Sequence, residues 1–115
     1  MGSSVLELVE ESGALNSRIF SRSRLLILSI LDELPENDSA TFREMKPALH
    51  LNEGVLYTNL EVLKQFGYVK EQKVKFNKKK MTAYSITRSG KEALRSLEQW
   101  LAKWLRRGTN EGKTK

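Results

Sequence analysis

The spacing of apolar residues along this chain changes from helical to alternating at Gly67, and changes back at Thr87. Before Gly67, Leu56, Leu60 and Leu63 recur by four and three, which gathers them on one side of a helix. From Tyr68 to Phe76 the period is two, with Tyr68, Val74 and Phe76 on one parity and Lys73 and Lys75 on the other. Asn77 to Lys80 reads as a loop, and Met81 to Ile86 as a second strand with Tyr84 and Ile86 on one face. Together these residues predict one β-hairpin with a very basic tip. Everything around it is helical, so the fold class is mainly α with a small β-hairpin (α+β).

The helical segments follow from their own signals. Val5 to Ile19 reads as an amphipathic helix through Val5, Leu8, Val9, Leu15 and Ile19, weakened by Gly13. Ser21 or Ser23 can cap a second helix that runs to about Leu34, where Pro35 stops it. Apolar on much of its circumference, this helix belongs near the centre of the core. Ser39 to Leu49 predicts a third helix, with Phe42, Met45 and Leu49 on one face and Pro47 limiting its length. After the turn Leu51-Asn52-Glu53-Gly54, a fourth helix runs from about Glu53 to Phe66, with Asn52 as N-cap and Gly67 as stop. Thr87 caps a last helix from Arg88 to about Arg107, striped by Leu94, Leu97, Leu101 and Trp104. Gly108 to Lys115 reads as a disordered basic tail.

At 115 residues the chain fits one domain. It has no cysteine, which removes disulfides, thiolate zinc sites and cysteine nucleophiles. His50 is the sole histidine, without a partner for a metal site or a catalytic triad. Glu33, Glu36, Asp38 and Glu44 read as a solvated surface. The sequence therefore assigns no catalytic residue, no metal and no cofactor. No apolar run approaches a membrane span, and the N-terminus lacks the layout of a signal peptide. Met1-Gly2-Ser3-Ser4 lacks a hydroxyl residue at position 6, which is Leu, so it does not fit a myristoylation site. A cytoplasmic location is the expectation.

The net charge of +6 is unevenly spread. Residues 1–63 hold five Lys/Arg against ten Asp/Glu, a net of −5, whereas residues 64–115 hold fifteen against four, a net of +11. A polarised basic half attracts a polyanion, nucleic acid before an anionic membrane surface.

A short helix, a tight turn and a second amphipathic helix make a helix-turn-helix, which can set its second helix into the major groove. The basic hairpin that follows is placed to reach the neighbouring backbone. Within this order, Leu51 to Val69, with Gly54, Leu56, Leu60, Leu63 and Gly67-Tyr68-Val69, resembles the recognition-helix segment of winged-helix regulators of the MarR-like and ArsR-like superfamily. Tyr57 followed by Leu60 and Leu63 is similar to PadR-type regulators in particular. Arg24-Leu-Leu-Ile-Leu28 resembles their first core helix, and Tyr84-Ser-Ile-Thr-Arg-Ser-Gly90 their wing exit. The resemblance covers about residues 21–95.

The resemblance implies a dimeric, cytoplasmic, DNA-binding transcription regulator with a winged helix-turn-helix core at residues 21–87. Residues 1–20 and 88–107 would supply N- and C-terminal dimerisation helices, and a third short strand is expected near Ala40-Thr41. The candidate DNA-binding residues are Arg24, Asn52, Gly54, Val55, Tyr57, Thr58, Asn59 and Lys64, together with Lys73, Lys75, Lys78, Lys79 and Lys80 of the wing. Helix 53–66 has Glu53 and Glu61 and one base, Lys64, so arginine readout of guanine is not available from it. The candidate dimerisation residues are Val5, Leu8, Val9, Leu97, Trp100, Leu101 and Trp104. A dimer seam is preferred to packing within one chain for the two indoles, which would otherwise be exposed. The expected partners are double-stranded DNA and a second copy of the chain, with no membrane; nothing supports a small-molecule effector. The rival reading is a winged-helix protein-interaction module whose acidic recognition helix never meets DNA.

Overall fold

The computed structural model describes residues 3–107, with side chains from Val5 onward. In chain order the elements are α1 (Ser3–Ser12), a 3-10 turn (Ser17–Ile19), α2 (Arg22–Asp32), β1 (Ala40–Thr41), α3 (Phe42–Leu49), α4 (Glu53–Gln65), β2 (Val69–Phe76), β3 (Lys79–Ile86) and α5 (Arg88–Arg106). The sheet is antiparallel, in the order β1-β3-β2. Ala40 pairs with Tyr84 and Thr41 with Ala83, so the third strand forms where it was expected. The basic tail at 108–115 lies outside the described residues.

Three boundaries differ from the sequence reading, each for a local reason. The first helix ends at Ser12, not Ile19: the chain turns at Gly13 and re-enters a 3-10 turn capped by Asn16, whose side chain accepts from the Arg18 N–H. The third helix starts at Phe42, not Ser39. Ala40 and Thr41 are taken by the sheet, and Thr41 then closes a capping box with Glu44. The hairpin loop is two residues, not four. Asn77 and Lys78 both have positive φ, 52° and 66°, as a type I′ turn requires. Lys79 and Lys80 therefore belong to β3, opposite Phe76 and Lys75.

The remaining caps match their residues. The side chains of Ser21, Asn52 and Thr87 accept from the N–H groups of Arg24, Val55 and Gly90. At the end of α4, Gly67 has φ +79°, and Tyr68 N–H and Gly67 N–H return to the carbonyls of Leu63 and Lys64, a Schellman closure. His50, at φ 54°, closes α3 in the same way through its backbone rather than its ring.

The core is built from Ile27, Leu28 and Leu31 of α2, Met45 and Leu49 of α3, and Leu56, Leu60 and Leu63 of α4. Val69, Tyr84, Leu94 and Leu97 complete it. Helix α5 is tied to the root of the hairpin. Thr87 Oγ1 donates to the Gly67 carbonyl at 2.6 Å, and Thr87 N–H to the Tyr68 carbonyl at 2.9 Å. This packing fixes the hairpin beside α4.

Candidate nucleic-acid interface

Burying Leu56, Leu60 and Leu63 turns the opposite side of α4 to solvent. At 100° per residue, Gly54, Thr58, Glu61 and Gln65 form the centre of that outward side. Gly54, Thr58 and Gln65 are exposed and Glu61 is half-buried. Tyr57, 55% exposed, and Glu53 flank it toward the hairpin, and Val55 flanks it toward α2.

The hairpin carries Lys73, Lys75 and Lys80 on the α4 side, and Lys70 and Lys79 on the other. Along β2, Val69, Glu71, Lys73 and Lys75 share one face, and their partners Ile86, Tyr84, Thr82 and Lys80 extend it across β3. At the root this face is apolar and packed on the core; toward the tip it is cationic. An open groove of about 840 Å³ separates it from α4, lined among others by Glu53, Tyr57, Glu61, Lys73, Lys80 and Thr82. The parity read from the sequence holds, and Val74, Phe76 and Met81 occupy the far side of the wing.

The candidate cations divide into two groups. Lys75, Lys78, Lys79 and Lys80 are exposed and make no ion pair with any described residue. Lys75 and Lys80 stand directly opposite one another, an unfavourable like-charge pair in isolation. Lys73 is partly engaged, donating to Thr82 Oγ1 at 2.7 Å with Glu71 at 4.0 Å.

Lys64 and Arg24 bind within the chain. Lys64 Nζ lies 2.6 Å from Glu71 and 3.1 Å from Glu61. Its hydrogen bonds to Glu71 and then Glu61 hold its ammonium above the usual lysine range, against a smaller opposing effect of burial. Arg24 Nε donates to Asn59 Oδ1 at 2.8 Å, its Nη1 donates to the Arg18 carbonyl, and Asn59 Nδ2 donates to the Val55 carbonyl at 2.8 Å. Asn52 is engaged as the cap of α4. Of the thirteen candidates, the structure thus leaves Gly54, Val55, Tyr57 and Thr58 on the helix, and the tip lysines on the wing, open to a partner. Glu71 was not foreseen as part of the site. It is the one acid in a strand otherwise rich in lysine, which is the signal that could have marked it.

The candidate dimerisation residues also divide. Leu8 and Leu97 are 5% and 1% exposed and belong to the chain's own interior. Trp100 packs within the chain: Nε1 donates to the Leu8 carbonyl at 2.9 Å, and its ring meets Phe20 edge-on at 5.9 Å. Leu101 is half-buried, and Lys103 pairs with Glu11 at 2.8 Å. Val5, Val9 and Trp104 remain exposed, joined by Leu6 and Leu105, each 69% exposed.

Among the described residues no cluster of three or more His, Asp or Glu side chains could hold a metal ion, and no helix is long and apolar enough to cross a membrane.

Residues 24–105 match the family described as winged helix DNA-binding domain. The chain belongs to that family. It is a family of DNA-binding domains and not of enzymes. Solved winged-helix structures share the fold. A transcriptional regulator homologue from Pyrococcus horikoshii OT3 superposes with a TM-score of 0.65 at 23% identity, over 96% of each chain. A PadR family transcription regulator from Clostridium difficile R20291 gives 0.62 at 19% identity, over 79% of this chain and 97% of that one. A MarR family transcriptional regulator from Silicibacter pomeroyi gives 0.58 at 19%, over 94% and 68%. No curated protein matches the sequence.

Proposed function

We propose that this winged helix binds double-stranded DNA as a homodimer and regulates transcription. Helix α4 enters the major groove, and the hairpin grips the adjacent backbone. The observation that carries the reading is the set of exposed, unpaired lysines at 75 and 78–80, beside the outward side of α4. Each phosphate they neutralise releases counterions. The like-charge pair Lys75 and Lys80 becomes favourable once an anion lies between them. Tyr57, Thr58 and Val55 offer polar and apolar contacts to base edges. Val5, Leu6, Val9, Trp104 and Leu105 supply an apolar surface for a second copy. A two-fold dimer presents two recognition helices about one DNA turn apart, roughly 34 Å, which calls for a pseudo-palindromic site.

The carboxylates of Glu53, Glu61 and Glu71 along the groove favour a second reading, a protein-interaction module without DNA contact. Reversing Lys78, Lys79 and Lys80 to Glu separates the two. DNA binding is expected to be abolished while the fold is kept. Unchanged duplex binding in that variant would contradict the proposed role of the wing.

A further inference from the structure

Four glycines lie among the described residues, and the fold accounts for the two that matter most to it. Gly67 holds a positive φ of 79°. Gly90 lets α5 lie against the hairpin root, where a Cβ would collide with the Tyr68 carbonyl oxygen and stand 2.8 Å from Ile86 Cγ1. Gly13 sits in the turn after α1, where a Cβ would come 3.4 Å from the Glu10 carbonyl. Gly54 is different. It is the second residue of α4, its φ is not positive, and a Cβ there would meet nothing nearer than Asn52 Oδ1, at 3.7 Å, an ordinary contact.

Glycine in a helix is less stable than alanine, because it loses more conformational freedom on folding. Folding therefore gains nothing from Gly54. Its place on the surface supplies another reason. Gly54 stands one turn before Thr58 on the outward side of α4, opposite the buried Leu56, Leu60 and Leu63, and it lines the groove whose other wall carries Lys73 and Lys80. A side chain is missing where the helix and the cationic wing converge. A missing Cβ allows backbone to approach a ligand closely.

We infer that Gly54 is the point at which α4 comes closest to DNA, its bare backbone lying against the base-pair edges where a methyl group would hold the helix off. This rests on the DNA-binding reading above and adds a steric requirement to it. The lysines on the facing wall fit a polyanion in this place.

The test compares Gly54→Ala and Gly54→Val with wild type. The probe is a duplex enriched from a random library by the wild-type protein, and thermal stability is read in parallel. Gly54→Ala is expected to keep Tm at or above the wild-type value and to weaken duplex binding at least fivefold, with Gly54→Val weaker still. The salt dependence should keep the wild-type slope, since no cation is removed. A loss below fivefold for Gly54→Ala overturns the inference. So does a fall in its Tm, which would make the glycine a requirement of the fold. A wild-type protein that retains no duplex overturns the DNA-binding reading and this inference together.

Discussion

At the scale of single residues, two side chains that read as DNA contacts, Arg24 and Lys64, make bonds within the chain that hold α4 in place. Arg24 grips Asn59 on the α2 side, and Lys64 bridges Glu61 and Glu71 on the wing side. The i,i+3 spacing of Glu61 and Lys64 is visible in the sequence, but no spacing announces the other two bonds, whose partners lie 35 and seven residues away and meet only after folding. Removing Lys64 leaves Glu61 without its cation and Glu71 with only Lys73, at 4.0 Å. Lys64→Met is therefore expected to lower Tm, and adding Glu61→Gln and Glu71→Gln should recover much of the loss. The salt slope of DNA binding should stay at the wild-type value. A slope smaller by about 0.9 would instead mean that Lys64 contacts a phosphate. Gly90 gives the opposite case to Gly54. Gly90→Ala forces a Cβ onto the Tyr68 carbonyl, and denaturant unfolding should register a loss of about 1–3 kcal/mol, the range for overpacking.

At the scale of elements, helices α2 and α5 are joined by Asp32, which accepts from Arg95 at 2.9 Å and lies 3.4 Å from Lys91. Burial alone would raise the Asp32 carboxyl; the hydrogen bonds and charges of Arg95 and Lys91 outweigh it and hold the group below its ordinary value of 3.8. A carboxylate with a depressed folded-state pKa adds stability above its unfolded value, and that stability is lost as pH falls through the folded value. The Tm of wild type should thus exceed that of Asp32→Asn at neutral pH, and the gap should close on acidification below about 3.8. A gap independent of pH would mean that the ion pairs contribute nothing. Elements with strong punctuation were legible in the sequence: α4 between Asn52 and Gly67, and α5 after Thr87. Those whose ends depend on another element were not. Thr41 starts α3 because β3 has already claimed Ala40 and Thr41. Lys79 and Lys80 join a strand because the turn at Asn77-Lys78 is tight despite having no glycine. The identity of the wing lysines was readable in the chain, but the side of the hairpin that faces α4 became plain only from the pairing.

At the scale of the whole molecule, the charge asymmetry of the sequence becomes a division of labour. The hairpin gathers lysine beside an outward helix face, and α1 with the end of α5 gathers Val5, Leu6, Val9, Trp104 and Leu105. Of the residues read from the sequence as part of a seam, Trp100 bonds to the Leu8 carbonyl of α1, and Leu8 and Leu97 are buried within the chain. If the remaining apolar surface pairs two copies, Val9→Glu combined with Trp104→Glu should yield a folded monomer by light scattering, with DNA binding weakened by loss of the second site. A double variant that stays dimeric would place the interface elsewhere. Whether the free wing lysines bind the DNA backbone is read by fluorescence anisotropy on duplex DNA across a salt series, with light scattering on the same sample. A dimer is expected, with affinity that falls steeply with salt, by about 0.9 in the log–log slope for each phosphate neutralised. Absence of binding even at low salt would mean that the wing does not serve DNA, and would leave a protein-interaction module as the better reading of the fold.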